Sequence, residues 1–208
     1  MEKLIFLAAI ADELAPLRSR LSNLRGGKAT QFDFIELGVG VIDSIITLEK
    51  HAKIFSRNNR VVFLGTAGII GNEFVPGETY QASFFRWTSI GLVLKKGFLP
   101  DALYQDIKAQ KFSGDLPGLP VISAPEITSD DMTALAFQKQ SGLCLENLEA
   151  YGVARWFKSN NLSLAGLLSV TNQVGKKSHH YYLKYRELAW LKLAETVCHV
   201  IKQERNKD

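Results

Sequence analysis

Short apolar runs, each handed directly to a helix-like stretch or a glycine turn, constrain this chain more than any other feature. Leu4 to Ala11 is apolar at every position, and leucines follow at 14, 17, 21 and 24. An all-apolar run of that length reads as a strand buried on both faces, and a 3-4-3 leucine spacing makes one face of a helix. The pairing recurs down the chain, so the expectation is α/β. We read strands at Lys3 to Ile10, Phe32 to Leu37, Arg60 to Leu64, Val121 to Ala124 and Leu162 to Val170, with two β segments between Gly77 and Leu94. Helices are expected at Asp12 to Leu24 (closed by Gly26-Gly27), Val41 to Phe55, Pro100 to Gln110, Ser129 to about Gln140, Asn147 to Lys158 and Tyr181 to Gln203. The last should carry Leu188, Leu191, Ala194, Val197 and Ile201 on one stripe. No repeat or linker interrupts the pattern, and residues 1–208 read as one domain.

Composition narrows the class. With 46% apolar and 22% charged residues, the chain has enough apolar surface to order itself, which excludes disorder over most of its length. The net charge of +4 is spread in pairs such as Lys95-Lys96 and Lys176-Lys177, without a basic stripe interleaved with aromatics, so no nucleic-acid partner is expected. No apolar run approaches the ~20 residues of a membrane span, so no membrane partner is expected either. Leu4 to Ala11 has the look of a short signal-peptide core, but Glu2 and Lys3 cancel where a basic segment would stand, and a buried strand explains the run. Cys144 and Cys198 read as two reduced, partly buried thiols, in keeping with a cytoplasmic protein. His179 and His180 have no ligand set around them in sequence, and no metal or cofactor is expected.

Four spots lie just after expected strands, where loops of open α/β sheets collect ligands: Asp12-Glu13, Gly38-Val39-Gly40, Gly65-Thr66-Ala67-Gly68 and Thr171-Asn172. Taken singly, each has a plain structural explanation. Acids opening a helix suit its dipole anywhere, and a Gly-x-Gly after a strand makes an ordinary turn.

In order and spacing they resemble something specific. The quoted segments are Ala8-Ala9-Ile10-Ala11-Asp12-Glu13-Leu14-Ala15-Pro16-Leu17-Arg18, Leu37-Gly38-Val39-Gly40, Gly65-Thr66-Ala67-Gly68-Ile69-Ile70-Gly71 and Val75-Pro76-Gly77-Glu78. Glu146-Asn147-Leu148-Glu149-Ala150-Tyr151-Gly152-Val153-Ala154 and Ser169-Val170-Thr171-Asn172-Gln173-Val174-Gly175 complete the set. Over nearly its whole length the chain resembles the nucleoside phosphorylase superfamily. The likeness is closest to the methylthioadenosine/S-adenosylhomocysteine nucleosidases and futalosine hydrolases. The resemblance implies a single-domain three-layer α/β/α fold with a central mixed, partly barrel-like sheet, a nucleoside substrate and a homo-oligomer, first of all a dimer.

The same resemblance implies roles. Glu149 matches the carboxylate that holds the ribose hydroxyls, and Leu148 stands where nucleosidases carry a methionine against the sugar. Glu13 matches the residue that positions and deprotonates the attacking water. Thr66 matches a hydroxyl residue near the sugar, and Ile127 an apolar residue stacked on the base. Two positions depart from the pattern. Phosphorylases of the superfamily bind phosphate with an arginine two residues before the glycine of the Gly-Ser/Thr turn, and here that position is Phe63, which favours water as the nucleophile. Nucleosidases protonate the adenine ring with an aspartate, and here that position is Asn172. An amide donates one hydrogen bond and accepts another but is no acid at neutral pH, a pairing that suits a 6-oxopurine. Futalosine hydrolases share the Asn and the Glu-Asn-hydrophobe-Glu stretch, but usually continue after the Asn with a basic residue and a tryptophan, and here Lys176-Lys177 follows Asn172 with no tryptophan until Trp190. Three functions fit these residues: a hydrolytic purine nucleosidase, a phosphorylase with a relocated anion site, and a nucleoside-binding protein without turnover.

Overall fold

A computed structural model describes residues 3–22, 31–71, 74–100 and 105–205. In chain order the elements are β1 (Lys3–Ala8), α1 (Ala11–Ser22), β2 (Gln31–Glu36), α2 (Gly40–Lys50) and β3 (Asn59–Ile70). Then come β4 (Thr79–Trp87), α3 (Ile90–Val93), β5 (Ile107–Lys108), β6 (Gly118–Ser123) and α4 (Asp131–Ser141). β7 (Cys144–Glu146), α5 (Ala150–Ser159), β8 (Ala165–Gln173) and α6 (Ser178–Arg205) complete the chain.

Side-chain alternation on the central strands makes the three layers. On β1 and β3, Ile5, Leu7, Val61 and Phe63 face one core, with Leu48 of α2 and Val153, Ala154 and Phe157 of α5. Their neighbours Leu4, Phe6, Val62 and Leu64 face the other, with Leu14, Leu17 and Leu21 of α1 and Leu193, Val197 and Ile201 of α6. The period of two thus sends successive residues of one strand to opposite helical layers.

The sheet closes on itself. β3 pairs with β7, β7 with β6, β6 with β4, β4 with β8, and β8 with β3, while β1 and β2 extend from β3 and β5 from β4. This closed ring with a parallel wing is the mixed, partly barrel-like sheet that the family resemblance implies. β3 lends one edge to two partners in turn: parallel β1 as far as Phe63, then antiparallel β7 from Gly68. Between those points Leu64 to Ala67 have no strand neighbour on that edge among the described residues. A bulge against β8 follows between Ala67 and Gly68.

Several expected boundaries move. Gly65 to Gly68 is not a turn but the middle of a 12-residue strand, and Thr171-Asn172 lies inside β8 rather than after it. Gly77 to Leu94 holds one strand and the short α3 rather than two strands. The expected helix from Pro100 fails at its far end, where Ile107–Lys108 pairs with Phe84 and Phe85 as β5, and residues 101–104 lie outside the described part. So does the Gly26-Gly27 stop. α2 ends at Lys50 and a 3-10 turn, Ala52–Ile54, takes over; α5 begins at Ala150, not Asn147. On α6, Leu188 and Leu191 are 40% and 46% exposed; the buried stripe runs through Trp190, Leu193, Ala194, Val197 and Ile201. None of the described helices is long and apolar enough to cross a membrane.

Candidate active site

The gap on the β3 edge is where polar side chains gather. Thr66 sits in it with both backbone groups unclaimed by a strand, and buried backbone polar groups need partners. Glu13, in the first turn of α1, accepts from the Thr66 amide at 2.9 Å and from its hydroxyl at 3.2 Å, both through Oε1. Asn147 donates from Nδ2 to the Thr66 carbonyl at 3.0 Å. The Asn147 Oδ1 in turn accepts from the amides of Glu149 and Ala150 at 3.0 and 2.8 Å. One asparagine therefore fixes the start of α5 to the middle of β3.

Glu149 is reached from a different direction. Gly38 and Gly40 have φ of 88° and 84°, the left-handed region where a side chain is strained, and the turn they form aims the Gly40 amide at Glu149 Oε1, 2.8 Å away. Gly40 opens α2, so the carboxylate also meets the positive end of that helix.

Glu13, Thr66, Ile127, Leu148, Glu149 and Asn172, the six residues singled out from the sequence, all line one cavity of about 330 Å³. Ile127 stands at its rim, 60% exposed. Asn172 has both ends engaged: Oδ1 accepts from the Thr171 hydroxyl at 2.7 Å and Nδ2 donates to the Gln173 carbonyl at 3.1 Å, leaving one N–H for a guest. The same cavity takes in residues the sequence reading did not assign, Glu146, Asn147, Ser178 and Tyr182, along with His179. Glu146 belongs to the quoted motif, but nothing in its spacing marked it as inward-facing. Tyr182 lies on α6, where only the 3.6-residue period relative to Ser178 would have pointed inward.

Burial raises all three carboxylates that line the cavity. Burial pushes Glu13 from an ordinary 4.5 to about 7; the Thr66 amide pulls it down and the nearby Glu149 charge pushes it up. Glu13 Oε2 is buried without a hydrogen-bond partner. Burial raises Glu149 too, opposed by its bond from Gly40. Glu146 is pushed by burial to about 7 against the bonds from Thr128. Burial raises the Tyr182 hydroxyl, and the charges of Glu13 and Glu149 add to it, so this side chain feels both.

Among the described lining residues there is no lysine or arginine. Phe63 is fully buried in the core. Arg60 is held by Glu204 at 2.8 Å and by the Phe112 carbonyl, and Arg86 by Asp106 at 2.7 Å. Lys176 and Lys177 border a separate cleft beside α4. Arg186 acts on Tyr182 through a hydrogen bond and its charge but is not itself a lining residue. The lining carries carboxylates and no lysine or arginine among the described residues, which disfavours an anionic guest.

Neither a protein-family model nor a curated protein sequence matches the chain. Solved structures do. Futalosine hydrolase of Helicobacter pylori superposes with a TM-score of 0.80 at 14% identity, covering 98% of this chain and 100% of that one. The methylthioadenosine/S-adenosylhomocysteine nucleosidase of the same organism, bound to butyl-thio-DADMe-Immucillin-A, gives 0.79 at 15% identity over 98% and 99%. The nucleosidase of Colwellia psychrerythraea in complex with adenine gives 0.76 at 14% identity over 97% and 95%. The likeness lies in the fold: this chain has the architecture of the methylthioadenosine/S-adenosylhomocysteine nucleosidases and of futalosine hydrolase.

Proposed function

We propose that the protein hydrolyses the N-glycosidic bond of a purine nucleoside, with water as the nucleophile. The observation that carries this reading is the pair Glu13 and Glu149, two buried carboxylates facing one cavity without a cation among its described lining residues. Such a cavity disfavours phosphate and favours the positive charge that develops on the sugar as the bond breaks. The fold shared with nucleosidases and a futalosine hydrolase supports the same class of reaction.

In this reading Glu149 accepts hydrogen bonds from the ribose hydroxyls. Water sits between Glu13 Oε2 and the Thr66 hydroxyl, attacks C1′ and gives its proton to Glu13, while the C1′–N electron pair leaves with the base. A base with pKa near the working pH is well matched to that task. Leu148 packs against the sugar and Ile127 covers the base at the rim. Asn172 hydrogen-bonds the base edge, which suits a 6-oxopurine.

The working form in this proposal is a homodimer. Val39, Ile42, Ile45 and Ile46 of the turn and α2 are 60%, 74%, 36% and 47% exposed, an apolar stripe that begins at the cavity wall, since Val39 lines it. A second copy covering that stripe would also close the mouth.

The test is incubation with inosine, adenosine, methylthioadenosine, S-adenosylhomocysteine and futalosine, with and without phosphate, following free base by chromatography. Release independent of phosphate is expected. Strict dependence on phosphate, or binding without release across the panel, would overturn the hydrolytic reading.

A further inference from the structure

Glu146 is the one buried carboxylate of the cavity without a task in that mechanism. Its place in the sheet gives it one. Gly68 on β3 pairs with Glu146 of β7 on one side and with Asn172 of β8 on the other. Residues paired across neighbouring strands share a face of the sheet, so Glu146 and Asn172 rise on the same side with a glycine between them. The glycine is required there: a Cβ at Gly68 would lie 2.9 Å from Asn172 Nδ2 and 2.6 Å from Val174 Cγ2. Asn172 therefore leans over Gly68 toward Glu146, and the two polar groups border the same end of the cavity, which both line.

The Glu146 carboxyl is held by one oxygen only. Thr128, fully buried in the loop before α4, donates its hydroxyl to Oε1 at 2.6 Å and its amide to the same atom at 3.3 Å. Oε2 receives neither of these bonds, and the residue lines the cavity. A carboxyl anchored at one oxygen keeps the other for a guest and is arranged to pass it a proton. Asn172 beside it holds no acidic proton.

We propose that Glu146 is the catalytic acid of the site, donating the proton on Oε2 to a ring acceptor of the departing base. The assignment rests on the hydrolytic reading above. The step balances: the glycosidic bond breaks, its electron pair goes to the base, and the base takes the proton from Glu146. Water meanwhile delivers hydroxide to C1′ and a proton to Glu13. Each turnover leaves Glu146 ionised and Glu13 protonated, and exchange with solvent resets both. With Glu146 protonated and Asn172 donating its remaining N–H, that end of the cavity presents two donors, matching a base edge with two acceptors, as a 6-oxopurine has. Its raised proton affinity fits the role, since burial holds the acid form up to about pH 7. The charged group acting on it is Glu126, in the same loop as Thr128, which raises it further. Glu146 in turn raises the buried Cys144 thiol of β7, and Arg86 of β4 lowers it.

The experiment compares inosine, whose base must be protonated to leave, with 4-nitrophenyl β-ribofuranoside, whose leaving group need not be. Glu146→Gln keeps the shape and an acceptor for Thr128. Its loss in kcat/KM on inosine is expected to exceed that on the nitrophenyl riboside by about 10²-fold, the scale of general-acid help. Native protein should show an alkaline fall in kcat/KM with inosine and none with the nitrophenyl riboside, a reading that needs no variant to fold. Equal alkaline limbs for the two substrates, or a variant that treats both alike, would overturn the assignment while leaving the hydrolase reading intact. Failure of the native protein to release base from any nucleoside overturns the hydrolase reading first, and this one with it.

Discussion

Glu13 takes both hydrogen bonds offered by Thr66 on a single oxygen, and that sharing leaves Oε2 buried and unpartnered beside the stretch of β3 between Phe63 and Gly68, whose edge no strand covers among the described residues. A helix residue is completing a strand, and the cost is a carboxylate stripped of solvent. Glu13→Gln should therefore lose about 10²–10⁴-fold in kcat/KM on the best nucleoside, as expected for a missing general base. It should at the same time gain stability at alkaline pH. Glu13 holds its proton up to about 7 when folded against an ordinary 4.5, so its contribution to stability is full below about 4.5 and is lost as pH rises through about 7. At pH 8 the amide variant avoids that loss, on the order of 1–3 kcal/mol, or ~2–4 °C in Tm per kcal/mol for a chain this size. At pH 4 the gain should vanish. Melting curves at the two pH values test it; a variant less stable than native at pH 8 would contradict this account of the buried carboxylate.

The pH profile follows from two acids with opposite duties. Glu13 must be ionised to accept a proton, so kcat/KM should rise about tenfold per unit as pH climbs toward about 7. Glu146 must be protonated to donate, so with a nucleoside the rate should fall above about 7. The result is a narrow bell near neutrality, whose limbs belong to a coupled set, because Glu149 and Tyr182 lie within the field of Glu13. Steady-state kinetics from pH 5 to 9 would show it, and Glu146→Gln should remove the alkaline limb only.

How much of this was readable beforehand depended on where each partner lies. Glu13 and Glu149 were legible through the resemblance of the motifs that contain them, since an acid opening a helix or set among apolar neighbours has, by itself, a plain structural explanation. Glu146 ends a three-residue strand, too short to show a period, and its anchor Thr128 is 18 residues away. The task of Asn147 depends on Thr66 having lost its strand neighbour, which follows from β1 stopping and β7 starting along one edge. Local pattern carries no trace of that exchange. The far end of the expected Pro100 helix went wrong for a related reason: Ile107–Lys108 is a strand because Phe84 and Phe85 pair with it.

Gly68 tests the geometry of the base end. Gly68→Ala should push Asn172 and Val174 aside, costing about 1–3 kcal/mol of stability from overpacking and at least about tenfold in kcat/KM from displaced contacts. Gly114→Ala, where a Cβ meets nothing within 4 Å, is the matched control and should change neither. Activity in Gly68→Ala equal to the control would show that the narrow space between Glu146 and Asn172 does not matter.

The exposed stripe on α2 predicts assembly. Ile42 is 74% exposed at its centre. Ile42→Glu places a charge where a second copy is proposed to pack, and should turn a dimer into monomers in sedimentation velocity. Because Val39 belongs to both stripe and cavity, KM should rise more than kcat falls. A native protein that sediments as a monomer at tens of micromolar removes the dimer from the proposal.

Asn172→Asp asks whether the site tolerates the acid its relatives in fold are expected to use. In the native protein Nδ2 donates to the Gln173 carbonyl at 3.1 Å and Oδ1 accepts from Thr171 at 2.7 Å. An aspartate keeps the Thr171 bond but sets a second oxygen against that carbonyl. Two acceptors repel, and protonation relieves them by restoring a donor, so the new carboxyl should hold its proton well above the ordinary aspartate range. Buried beside Glu146, it would be a second acid at the base. Adenine release from methylthioadenosine should then rise at least about tenfold relative to inosine cleavage below pH 6. Glu146 and Asn172 together match an edge with two acceptors, which adenine with its donating 6-amino group lacks, so adenine gains from the new carboxyl a general acid worth about 10²–10⁴. Folding should grow more favourable as pH falls, since the folded carboxyl binds its proton more tightly than the unfolded one. If Glu146 already protonates both kinds of base, the ratio of the two substrates will not move, and the preference for a 6-oxopurine would have to come from the rim at Ile127 instead.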